Sequence, residues 1–182
     1  MSNIRRFGGS RPRIARDAWV DPAAVVIGDV AIGAGASLWP GVVARGDIHS
    51  IQVGDRTNIQ DNSVLHVSHD SAWCPGGKSL QIGSDVTVGH RALLHGCRVD
   101  HHCLIGMGAI VMDGAVLGPH LILAAGSLVP EGAALEGGFL WLGTPARRRR
   151  PLTESELEYL DYSAAHYVGL AARHREAMAR GG

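Results

Sequence analysis

The chain has 182 residues, 46% of them hydrophobic, and its 17 lysines and arginines balance 17 aspartates and glutamates. That length fits one domain with a long buried core, and the charge balance leaves no global field that would favour nucleic acid. With 5% aromatic residues and 25 glycines, the core is expected to be narrow and the chain full of tight corners.

Residues 1–17 are expected to form an N-terminal segment. Met1 to Arg16 carries several arginines but no apolar stretch of the secretory kind. Nowhere does the chain approach the roughly 20 apolar residues of a membrane span. Cys74, Cys97 and Cys103 are odd in number and lack a Cys-x-x-Cys pair, which suits reduced thiols in a cytoplasmic setting. Cys97, although close to His95 in sequence, is expected to be a small apolar core residue.

From Val20 an aliphatic residue recurs at every sixth position, at Val26, Ile32, Leu38 and Ala44. The beat resumes at Val53, Ile59 and Leu65, then at Ile82, Val88 and Leu94. After a five-residue step it runs on through Val99, Ile105, Val111, Leu117, Leu123 and Val129. Helices and half-buried strands repeat at about 3.6 and 2 residues, so this period predicts neither. It predicts a β-solenoid of short strands turned by glycine-assisted corners.

Ser68 to Leu80 breaks the pattern and is expected to bulge out at a corner. The beat stops after Pro145, and the run Arg147 to Arg150 is expected to be a solvated connector or a carboxylate-pairing segment. Thr153 and Glu156 are spaced as a capping box. The helix they open would carry an apolar stripe of Leu157, Leu160, Ala164, Tyr167, Val168 and Ala171. The expected layout is therefore a solenoid over 18–145, with 146–182 as connector and C-terminal helix.

Sides beginning at Val53, Ile59 and Leu65 can be labelled A, B and C; Ile82, Val88 and Leu94 then begin the same sides one coil later. His66 and His95 each follow an interior residue on side C, so both point outward and stack. Coils about 4.8 Å apart bring them within reach of one tetrahedral zinc, whose nitrogen ligands stand roughly 3.3 Å apart. His90 is around a corner on side B. A metal held by all three histidines therefore requires a neighbouring copy, and a cyclic trimer would contain three such sites. The remaining histidines lack this register, and His69, on the bulge, is the one expected near the metal.

The six-residue repeats resemble the left-handed parallel β-helix of the hexapeptide-repeat family, in which three sides make one triangular coil. More specific are Arg45-Gly46-Asp47, Asn58-Ile59-Gln60-Asp61-Asn62, Leu65-His66, Val88-Gly89-His90 and Leu94-His95-Gly96-Cys97, in that order. Together with Gly106-Met107-Gly108 and Leu142 to Pro145, they resemble the gamma-class carbonic anhydrases and carbonic-anhydrase-like proteins, most closely the compact bacterial branch. The resemblance implies an all-β left-handed β-helix with a C-terminal helix, assembled as a homotrimer. It also implies zinc held by His66, His90 and His95 between subunits, with iron or cobalt as alternative occupants of an imidazole site.

The implied activity is that of a carbonate dehydratase, the reversible hydration of carbon dioxide to bicarbonate by a zinc-bound hydroxide. Gln60 matches the family glutamine beside the metal, where its amide would orient the hydroxide or receive substrate oxygen. Asn58 belongs to the same neighbourhood. Arg45, Asp47 and Asp61 match an intersubunit charge cluster, with a minor general-base role for Asp61. A tyrosine of the C-terminal helix approaches the site in the family, and Tyr162 or Tyr167 could match. The bulge has no glutamate to export the proton, so His69 or Asp70 is the expected substitute. Two other readings share the solenoid: an acyl-CoA thioesterase or acyltransferase with a pantetheine groove between chains, and a non-catalytic assembly subunit.

Overall fold

The computed structural model describes residues 3–181. Short parallel strands wind into a left-handed, three-sided solenoid, and the single α-helix, Glu154–Gly181, lies along one side of it. Sides A and C form one twelve-stranded sheet, because Val25–Ile32 and Val43–Val53 turn the corner between them as continuous strands. Side B is an eight-stranded sheet.

Pairing register places the six-residue beat in space. Val53 pairs with Ile82, Ile59 with Val88, and Leu65 with Leu94. The bulge is thereby left outside the coil, closed at its base by an antiparallel bridge between Ser68 and Lys78. Each rung fills the interior with the beat residue and the residue two places before it, and Leu38, Ile59, Leu65, Leu94, Ile105 and Leu123 are fully buried. Each such burial contributes about 1.5–3 kcal/mol. The corner after side A explains one glycine: a Cβ at Gly54 would stand 2.5 Å from the Gly83 carbonyl carbon, so no other residue fits between these rungs.

Both ends depart from the expected layout. Ile4–Arg5 and Arg13–Ile14 pair with Val25–Ile32, so the N-terminal segment already belongs to the sheet although no repeat announces it. At the other end Phe139–Gly143 closes side B, and Ala146–Pro151 folds back on it antiparallel, a strand where a connector was expected. Two of its arginines are held by carboxylates: Arg148 donates to Glu136 at 2.8 Å and Arg150 grips Glu156 through bonds of 2.7 and 2.8 Å.

The helix opens on a reciprocal cap. Glu156 N–H donates to Thr153 Oγ1 at 3.2 Å, and Thr153 N–H donates to the Glu156 carboxylate at 2.9 Å. Leu160, Ala164 and Ala171 are buried against side B, while Leu157 stays exposed at the mouth of the stripe. Tyr167 packs edge-on to Trp39 with centroids 5.4 Å apart, and Trp39 packs in turn on Trp19 at 4.7 Å. This cluster fixes the helix beside the middle rungs, where the candidate site lies.

Candidate functional site

Val64, Leu65 and His66 alternate outward, inward and outward, and Leu93 to His95 repeat the alternation one coil away. His66 and His95 are direct partners in the ladder, with ring centroids 4.9 Å apart. His66 Nδ1 faces His95 Nε2 at 2.9 Å. Each ring is anchored at its other nitrogen: His66 Nε2 lies 3.2 Å from Asp47 Oδ1, and His95 Nδ1 lies 2.5 Å from Asp113 Oδ1. A carboxylate can only accept, so each outer nitrogen carries a proton, and with both rings neutral each inner nitrogen carries a lone pair. Two lone pairs confronted at 2.9 Å repel each other unless a cation lies before them. Neutral imidazoles braced by carboxylates are the usual ligands of divalent zinc. On its own donor chemistry, the pair fits such a metal.

The surroundings of His66 favour its ligand form. Burial pushes the His66 imidazolium down, against the opposing pull of its Asp47 hydrogen bond, so the neutral ring is favoured. Burial alone would raise Asp47. Its bonds to Arg45 and His66 outweigh that and hold the carboxyl below its ordinary value. Arg45 donates to Asp47 Oδ2 at 2.6 Å, so these two expected interface residues already form a pair within one chain. Cys97 is buried and its thiol is pushed up to about 12 by desolvation, which makes it a core residue rather than a thiolate ligand.

His90 stands apart, at the corner between sides B and C, with Nδ1 2.9 Å from Asp61 Oδ2. Asp61 is therefore this histidine's partner rather than Arg45's. Among the described residues, no three histidine, cysteine, aspartate or glutamate side chains of one chain converge on a point that could hold a metal.

Beside His90 the outward positions of side B make a cavity of about 350 Å³. It opens where the ladder passes from Gln60 to Gly89 and Gly106, positions without side chains, and the helix roofs it with Tyr159 and Tyr167. A Cβ at Gly89 would stand 2.8 Å from the Met107 amide nitrogen, so close stacking of the rungs demands the glycine that leaves the space. Gln60 is buried at the cavity wall and donates to Asn58 Oδ1 at 3.1 Å. Tyr167 is a half-buried phenol pushed up by desolvation and by the nearby Asp61 charge, so it stays protonated. Tyr162 is exposed, packs toward Tyr159 and His166, and does not line the cavity.

His69 and Asp70 are exposed on the bulge, and Asp70 accepts the Gly76 amide at 2.7 Å as part of the loop's own turn. Sequence reasoning missed Asp113, which braces His95 and accepts the Ser68 hydroxyl at 2.6 Å. The five-residue step hid it: Leu94 pairs with Val111, which sets Asp113 level with Gly96, beside His95. It also missed Tyr159, because the stripe alone does not set the helix's rotation. A third omission is the outer face of side C: Val25, Val43, Val64, Leu93, Ile110 and Leu128 form one apolar column beside the paired histidines. Val64, Leu93 and Ile110 are exposed in the single chain.

No protein-family model matches the chain. Protein YrdA of Escherichia coli (strain K12) is 49% identical over 169 residues, which is 92% of each chain. The Arabidopsis thaliana protein "Gamma carbonic anhydrase 2, mitochondrial" is 46% identical over 165 residues, covering 90% of this chain and 58% of that protein. Among solved structures, a hexapeptide transferase family protein from Anaplasma phagocytophilum matches with a TM-score of 0.83 and 42% identity, over 92% of this chain and 95% of that one. Identity of this extent, spread over the whole solenoid, means that the chain belongs to the gamma-class carbonic-anhydrase-like proteins of the hexapeptide-repeat family.

Proposed function

We propose that the protein catalyses the reversible hydration of carbon dioxide to bicarbonate at sites between the subunits of a homotrimer. The observation that carries this reading is the confronted pair His66 and His95, each with a carboxylate on its outer nitrogen and its inner nitrogen facing the other ring. The third ligand would be His90 of a neighbouring copy, held by its Asp61, and zinc is the preferred metal, with iron or cobalt as alternatives. When bound, such a metal supplies the Lewis acidity that ionises water near neutral pH.

The chain's own residues supply the rest. Gln60 orients the attacking water at the cavity wall, and Asn58 holds Gln60. Arg45 and Asp47 brace His66, and Tyr167 screens the cavity from bulk solvent. His69 and Asp70, on the exposed bulge, would hand the proton to buffer. Support for assembly comes from the apolar column on side C. A row of exposed Val64, Leu93 and Ile110 next to the half-buried His66 and His95 is a surface that a second copy would cover.

Metal analysis joined to a hydration assay tests the reading. The parent should carry one metal per chain and gain activity as pH rises, whereas His90→Ala should lose the metal although His66 and His95 remain. A monomer with full metal occupancy would end the intersubunit model. The solved structure of a hexapeptide transferase family protein and the largely apolar cavity favour a second reading, acyl-CoA hydrolysis or transfer. Metal-dependent cleavage of acyl-CoA esters without hydration at any pH would select it. Failure of both activities in metal-replete trimer would favour an assembly subunit.

A further inference from the structure

Under the helix, side B carries a ladder of outward side chains that are polar and yet buried. Ser37, Asn58 and Thr87 are successive partners in the sheet, and each is almost fully covered. Such groups are costly unless they are hydrogen-bonded, and Ser37 Oγ accepts the Trp39 indole N–H at 3.1 Å while the other two bond to each other. Asn58 Nδ2 donates to Thr87 Oγ1 at 2.9 Å, and Thr87 Oγ1 meets Ser163 Oγ of the helix at 3.0 Å. On the other side Asn58 Oδ1 accepts from Gln60 Nε2 at 3.1 Å.

The direction of this chain follows from one carbonyl. The Asn58 amide group that faces Thr87 also lies 3.5 Å from the Val86 carbonyl oxygen, which cannot donate. Only the NH2 end of Asn58 suits that position; turned around, two oxygens would face each other. Asn58 must then offer its oxygen to Gln60, and Gln60 must answer with its NH2. The one polar atom of Gln60 not committed to Asn58 is Oε1, on a residue that lines the cavity beside His90.

We infer that Thr87 and Ser163 are positioning residues: acting through Asn58, they hold Gln60 with its carbonyl oxygen toward the reacting centre. Gln60 therefore accepts an O–H from the attacking water and aims the water's lone pair, and it does not donate to a substrate oxygen. Ser163 makes the C-terminal helix part of the site's orientation, through a hydroxyl 76 residues from Thr87 in sequence. The inference rests on the hydration reading for its consequence, and on hydrogen-bond complementarity for its geometry.

The test is a double-mutant cycle with a spectroscopic arm, on the metal-loaded protein. Thr87→Val keeps the side-chain shape and removes the hydroxyl. It should lower kcat about tenfold with KM and metal content unchanged, as expected for a misoriented group. Thr87→Ser should restore the rate, and Ser163→Ala should give a smaller fall in the same direction. In a Gln60→Ala background, Thr87→Val should cause no further loss; additive losses would overturn the inference. Independently of any activity, the Gln60 side-chain NH2 resonances should be protected from exchange in the parent and lose protection in Thr87→Val. Unchanged resonances would overturn the inference, whereas a parent without hydration activity but with this shift would overturn the hydration reading alone.

Discussion

Removing the carboxylate of Asp113 should weaken metal binding without touching a ligand. Asp113 Oδ1 accepts a hydrogen bond from His95 Nδ1, and its other oxygen is fixed by the Ser68 hydroxyl at 2.6 Å. That bond decides which nitrogen of His95 keeps its lone pair. The His95 side chain is 32% exposed, so in Asp113→Ala water can replace the lost acceptor and no bare polar group is buried. What is lost is orientation, tautomer selection and the charge-assisted bond. Loss of such an outer partner usually lowers metal affinity about 10- to 100-fold. This corresponds to about 1.4–2.8 kcal/mol at ~1.4 kcal/mol per tenfold. Asp113→Asn retains a carbonyl oxygen that can still accept from Nδ1, so it should lie near the lower end. A competition titration against a chromophoric zinc chelator at fixed pH measures both variants, with circular dichroism to check the fold. Parent-like affinity in Asp113→Ala, or a weaker site in Asp113→Asn than in Asp113→Ala, would refute the role assigned to this carboxylate.

Three further outcomes are expected. Leu93→Asp puts a charge into the apolar column of side C and should shift light scattering from trimer to monomer, with metal content falling in step; a metal-loaded trimer would remove that column from the interface. The helix cap should be acid-sensitive: Arg150 and the Thr153 amide hold the Glu156 carboxyl down to about 2, against an ordinary value of 4.5. Because the folded value is the lower one, the cap's contribution is complete above about pH 4.5 and is lost as pH falls toward 2, and Glu156→Ala should flatten that part of a melting-temperature profile; an unchanged profile would deny the cap any such role. If His69 exports the proton, imidazole-type buffers should accelerate His69→Ala more than the parent, whereas equal acceleration would make His69 an ordinary loop residue.

What the sequence made legible was whatever repeats. The interior column is written in a six-residue beat, and once Ile82 is aligned with Val53 the stacking of His66 and His95 follows by counting. Relations that depend on chemistry between coils were harder to see. Asp113 reaches His95 across one full coil, and nothing in its local sequence marks it as different from the other corner aspartates. The column from Val25 to Leu128 was hidden by its own neighbours. Val64-Leu65 and Leu93-Leu94 each put one aliphatic residue outside and one inside, so the pairs read as core. Two-residue strands such as Ile4–Arg5 carry too little pattern to be recognised before they pair. The choice among tyrosines turned on the helix's rotation, which the Trp19 and Trp39 contacts set from far away in sequence.

The three sides of the solenoid divide the work by what each outer column carries. Side C is apolar except at Arg45, His66 and His95, so the surface that would bury its aliphatic residues would also exclude water from the donor pair and strengthen its electrostatics. Side B carries buried Asn58 and Thr87 under the helix, beside the Trp19 and Trp39 contact, and is bare at Gly89 and Gly106, which joins a hydrogen-bonded wall to an open cavity. His90 sits at the corner where these sides meet, with its Nδ1 already taken by Asp61. A single chain thus holds two of the proposed ligands on one side and the third turned away, while a ring of chains could bring each corner to its neighbour's side C. The geometry that prevents one subunit from closing a metal site by itself is the same geometry that would make metal binding depend on assembly.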